Sequence, residues 1–181
     1  IQRGYKYNYS SNDTYFLEMT AMWFEDVLLP DGNDYLDGWV DPLLNNPSLD
    51  FDNTGDGYEL ALFGHYLSNF IDKQGSYGAK NSTIIKEIWE EYKNSQISAL
   101  TAIQNIIEGE NYNLSFSAIW ADFISRNLYN GMFNNDENIF YYYSDQALIE
   151  PIKTTPILID SNYQIISNIS YKSALIHSLE M

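Results

Sequence analysis

Glu18 is the residue that first asks for a chemical explanation. It lies in T-Y-F-L-E-M-T-A-M-W-F-E-D, residues 14–26. Phe16, Met19, Trp23 and Val27 recur at three-to-four spacing, as do Leu17, Ala21, Phe24 and Leu28. That pattern predicts one amphipathic helix with a broad apolar surface. Asp13 or Thr14 can cap its start. Glu18, Met22 and Glu25 form a third stripe on the same helix. An unpaired buried carboxylate is costly. Glu18 therefore either faces solvent or a basic partner, or serves as a metal ligand. Periodicity alone leaves both readings open.

The stretch D-F-D-N-T-G-D-G-Y-E, residues 50–59, offers a second kind of chemistry. Asp50, Asp52, Thr54 and Asp56 alternate, and Gly55 falls at the sixth place of a calcium loop. Bound calcium at Asp50, Asp52 and Asp56 is one reading. However, Ala61 stands at the twelfth place, where such a loop needs a bidentate Glu, and an acidic Gly-rich turn that caps a helix is the other reading. The chain has two histidines. His65 and His177 are far apart, neither has a second His at i+3 or i+4, and both read as structural. No nucleotide-binding or nucleophile-elbow pattern is present.

Composition narrows the partners. Nine basic residues stand against 25 acidic ones, a formal net charge of −16. Such a surface repels phosphate backbones and anionic bilayers, so neither nucleic acid nor membrane is an expected partner. Cysteine is absent, which removes disulfides, thiolate nucleophiles and Cys-type zinc sites. Apolar residues make up 45% of the chain and aromatics 16%, enough for a sizeable core.

The elements that must position these residues read as mainly α. After the 14–26 helix, Pro30, Asp31 and Gly32 mark a stop. Residues 33–40 predict a short helix or turn with Tyr35, Leu36 and Trp39 inward, and 41–55 a loop. A helix opens near Gly57, with Asp56 and Glu59 at capping-box spacing and Leu60, Phe63, Leu67 and Phe70 on its apolar face. Further helices are expected over 82–92, 98–108 and 115–129. Together these make a helical domain over residues 1–150. After Pro151 the pattern alternates, with strands expected at 157–159, 163–166 and 171–176, as the start of a β-type domain over 151–181.

The segments Q-R-G-Y-K-Y, E-M-T-A-M-W-F-E-D, N-D-Y-L and Y-E-L-A-L-F-G-H-Y-L together resemble a group of secreted bacterial zinc metalloproteases of the gluzincin, thermolysin-like kind. The resemblance implies the helical C-terminal half of a zincin-type catalytic domain. In that family an HExxH helix gives two zinc-binding His and the catalytic Glu, and it would lie just before Ile1. The resemblance places Glu18 as the third zinc ligand. It makes Tyr58, in Y-E-L-A, a donor to the oxyanion formed on peptide attack. Thermolysin-type enzymes usually carry an Asp four residues after the ligand Glu. Met22 stands there, and Glu25 is the substitute for orienting a ligand. The resemblance further implies a protein or peptide substrate, zinc in the intact parent, an extracellular or cell-surface location, and a fragment inactive without the HExxH segment. Two other classes stay open: a helical module that binds calcium or glycans, and a degenerate protease homologue.

Overall fold

The computed structural model describes residues 8–53, 56–72, 82–94, 96–131, 139–158 and 177–180. Among these the chain is mainly helical. Its α-helices are α1 (Thr14–Leu28), α2 (Asp41–Asn45), α3 (Ala61–Tyr66), α4 (Ile84–Asn94), α5 (Ala99–Glu108) and α6 (Phe116–Arg126). A 3-10 turn, Tyr58–Leu60, leads into α3, and a π turn, Leu67–Ile71, continues it. Short 3-10 turns at Ser11–Asp13, Asp34–Leu36, Phe51–Asn53, Asn127–Tyr129 and Ser144–Leu148 fill much of the rest.

The centre of the molecule is aromatic. Phe51, Phe63, Phe116, Trp120 and Phe123 are all buried. Phe63 meets Phe51 at 5.2 Å, Trp120 at 5.4 Å and Phe123 at 5.2 Å between ring centroids, each near edge-to-face. That geometry places positive ring edges on negative ring faces and adds to the apolar burial. Helix α1 packs on α3 through a close approach: an added Cβ at Gly64 would stand 3.0 Å from Trp23. The Trp23 indole donates to Ser68 Oγ at 3.0 Å, inside the π turn.

Two helix starts are capped from a distance. Asp13 precedes α1 but makes no side-chain cap there. Its Oδ1 accepts instead from the Ala99 amide at 2.9 Å, at the start of α5, and its Oδ2 from the Tyr92 hydroxyl at 2.9 Å. Asp72, just past the π turn, accepts from the amides of Thr83 (2.6 Å) and Ile84 (3.0 Å) and from Ser82 Oγ (2.7 Å), at the start of α4. Each carboxylate satisfies amides that a helix leaves without intrahelical partners.

Several sequence expectations need correction. Residues 41–45 form α2, not loop, because Pro42 occupies a first-turn position where its missing N–H costs nothing. The turn before Tyr58 has no side-chain cap, so the Asp56/Glu59 capping box does not form. Trp39 is 48% exposed rather than inward, while Tyr35 is buried as expected. Phe70 is exposed and carries the Arg126 guanidinium 3.7 Å from its ring centroid.

Past residue 139 the chain folds back without long helices. Gln146 Oε1 accepts from the amides of Tyr142 and Tyr143, and Gln146 Nε2 donates to Asn130. Tyr142 donates to Asn127 Oδ1 at 3.1 Å, and the Ile152 and Lys153 amides donate to the carbonyls of Asn127 and Leu44. Beyond it, strands β1 (Thr155–Leu158) and β2 (His177–Glu180) pair in parallel. β1 overlaps the strand expected at 157–159, whereas those expected at 163–166 and 171–176 lie outside the described residues.

Candidate functional site

Glu18 falls in the middle of α1, as the periodicity requires, and is half-buried. Among the described residues no basic side chain forms an ion pair with it. Its polar neighbour is Tyr58. The Glu18 charge is the chief cause of a raised Tyr58 pKa, and a side-chain hydrogen bond joins the two, with Asp56 adding to the effect. The phenol therefore stays protonated and remains a donor through the neutral range. Tyr58 is positioned by Gly57, whose φ of 92° permits the backbone to turn, and whose missing side chain leaves room for Tyr15.

Trp39 lies against Tyr58 on the other side, with ring centroids 4.9 Å apart and planes at 62°. Glu18, Tyr58 and Trp39 thus make one continuous surface from three separate elements. Beside Glu18, Phe16 and Leu17 are buried and Ala21 is half-buried. Exposed apolar side chains lie further along α1 instead, at Phe24, Leu28 and Leu29.

Glu25 is exposed. It lines a small cavity of about 20 Å³ with Asp26, Asn33, Asp34 and Tyr35. The cavity is large enough for about one water, and the Oδ1 atoms of Asp26 and Asn33 are buried with no hydrogen-bond partner. Asp50 and Asp52 line a different, larger pocket, which Asp56 does not join. Among the described residues no group of three or more His, Asp or Glu side chains is arranged to hold a metal ion.

The sequence reading missed a buried polar cluster behind this surface. Asp26 and His65 are both buried, with His65 Nε2 3.3 Å from Asp26 Oδ2. Tyr143 stacks on His65, with 4.0 Å between centroids and 8° between planes, and its hydroxyl lies within hydrogen-bonding reach of both Asp26 Oδ2 and Asp145 Oδ2, with one proton to donate between them. Tyr35 also donates to Asp145, at 2.9 Å. Burial pushes the Asp26 carboxyl up to about 6 and the His65 imidazole down to about 3. At neutral pH the pair is a carboxylate beside a neutral ring. One sequence signal could have found it: Asp26 follows Met19 and Trp23 on the buried stripe at helical spacing.

No known family profile matches the chain, and no curated protein or solved structure is significantly similar to it.

Proposed function

We propose that this chain is the helical part of a zinc-dependent endopeptidase, active in a longer parent that supplies an HExxH segment. The observation that supports this reading is the meeting of Glu18 and Tyr58. A carboxylate with no basic partner among the described residues, beside a phenol held in its neutral form, suits a site where water attacks a peptide carbonyl. Glu18 would hold the metal together with two imidazoles from the HExxH segment. Bound there, zinc would lower the pKa of a water and so supply the nucleophile. Tyr58 would donate its hydrogen bond to the oxygen of the attacked carbonyl as negative charge develops on it. Trp39, open to solvent beside Tyr58, would pack on the peptide substrate. An extracellular or cell-surface location follows from the same resemblance.

The test uses the parent and measures zinc by elemental analysis beside hydrolysis of casein. Glu18→Ala should lose both metal and activity. Tyr58→Phe should keep the metal and lower turnover by about 10²–10³, the usual worth of an oxyanion donor. A Glu18→Ala parent with normal zinc and normal turnover would end the assignment.

A further inference from the structure

We propose that the end of α1 docks a lysine-bearing segment of a protein partner, with the lysine ammonium held in the small cavity beside Asp26. That cavity, about 20 Å³, has room for one group the size of a water. Asp26 is 5% exposed. Among the described residues its Oδ1 has no hydrogen-bond partner, and neither has the buried Asn33 Oδ1. Both residues line the cavity. The other Asp26 oxygen, Oδ2, faces the Tyr143 hydroxyl and the His65 ring, so Oδ1 is the one left for a ligand. Glu25, Leu29 and Asp34 are exposed at the mouth, and Met22 is half-buried in the wall. Among the described residues lining the cavity none is basic.

Two buried acceptors without a donor are costly, and they define the chemistry of the missing partner. It must donate to both and need not accept. An anion would bring only further acceptors. A water would donate to both oxygens but leave the Asp26 charge unbalanced, with Glu25 and Asp34 close by. Calcium asks for about six to eight oxygens, and among the described residues no group of three or more His, Asp or Glu side chains is arranged to hold a metal ion. A guanidinium has the right charge, but its planar fork is larger than one water-sized position. A primary ammonium is compact, positive, and carries donors only. A lysine stem would lie along Met22 and Leu29 while its head reaches the two oxygens. A net charge of −16 favours a cationic partner over the whole surface.

The rim points to a polypeptide rather than a free amine. Phe24, Leu28 and Leu29 are 38%, 57% and 63% exposed. Leu28 follows Glu25 by three residues and Leu29 follows Asp26 by three, so these apolar side chains stand beside the cavity mouth. A free amine would leave them in water, whereas a segment with apolar residues flanking its lysine would cover them. Neither Glu18 nor Tyr58 lines the cavity, and the proposal does not rest on the peptidase reading.

The experiment is calorimetric titration of the full chain at pH 8 with a terminally blocked pentapeptide carrying one central lysine between leucines. Versions with arginine, acetyl-lysine or norleucine at the centre, and methylammonium chloride alone, are titrated beside it. The lysine peptide should bind with a Kd near the millimolar range, a typical weak affinity. The arginine peptide and methylammonium should each bind at least about tenfold more weakly, and the acetyl-lysine and norleucine peptides not at all. Asp26→Asn should weaken the lysine peptide at least about tenfold, the effect of a lost charge-assisted hydrogen bond. Asn33→Gly, which suits the φ of 53° at that position, should weaken it several-fold. Leu28→Ser/Leu29→Ser should weaken the peptide but not methylammonium. Thermal melts confirm that each variant is folded. The proposal is overturned if the lysine peptide does not bind at about 20 mM, well above a millimolar Kd, if the norleucine or arginine peptide binds as tightly, if methylammonium does, or if folded Asp26→Asn binds the lysine peptide as well as the native chain.

Discussion

Asp26 and His65 share one buried site and pull on stability in opposite senses. The Asp26 carboxyl is raised to about 6 by burial, with Asp145 adding to the rise and the Tyr143 hydrogen bond opposing it. A raised acid stabilises the fold below its unfolded pKa near 4, and that contribution is lost as pH climbs through about 6. His65 is lowered to about 3 by desolvation. Its contribution is present above the unfolded value near 6.5 and is lost as pH falls toward about 3. Replacing Asp26 by Asn mimics the protonated acid. Asp26→Asn should be more stable than the native chain at pH 8, by roughly 2 kcal/mol at most, and the gap should close by about pH 4. His65→Gln should soften the fall in melting temperature between neutral pH and about pH 4, because it has no ring to charge. Thermal melts across this range read both. A gap for Asp26→Asn that stayed constant with pH would mean the carboxyl is not raised by its surroundings.

Among the elements, Gly57 joins the candidate site to the fold. An added Cβ there would stand 2.3 Å from the Tyr15 carbonyl oxygen, and its φ of 92° disfavours any other residue. Gly57→Ala should cost more than about 1 kcal/mol, since both the backbone strain and the clash act together. Because Tyr58 follows directly, on the proposed peptidase reading the same change in a full-length parent should lower turnover while leaving zinc content near normal. A denaturant melt beside metal analysis checks both halves. The long helices were legible in the sequence: α1, α4, α5 and α6 stand within a few residues of where apolar spacing puts them. The helix opening near Gly57 was legible as a helix but not as three kinds of turn, since spacing alone cannot tell a 3-10 start or a π finish from an α-helix. The caps were legible only by type. Asp13 looks like the cap of α1 because it precedes it, yet its oxygens reach Ala99 and Tyr92, partners that only tertiary contact can assign. Trp39 has an apolar ring in an aromatic neighbourhood, and the sequence cannot say that Tyr58 holds it at the surface. Glu18 stood out because it breaks an apolar helix, whereas His65 read only as structural and its pairing with Asp26 went unseen, because the two lie in different helices and meet only through packing.

At the scale of the molecule, charge and connection set the behaviour. A net charge of −16 on 181 residues makes the compact state repel itself. Raising NaCl from about 10 mM to about 200 mM shortens the Debye length from roughly 30 Å to under 10 Å, so the melting temperature should rise with salt. A calorimetric scan in which it fell would mean that specific ion pairs outweigh the excess negative charge. The remote caps have a consequence for motion. The first amides of a helix commonly fray, since a local opening frees them. Here the Thr83, Ile84 and Ala99 amides are held by carboxylates from Asp72 and Asp13. Deuterium can reach them only when separate parts of the chain come apart. In a hydrogen-exchange time course these three amides should exchange as slowly as the middles of α4 and α5, so the beginnings of two helices would keep time with the unfolding of the whole chain.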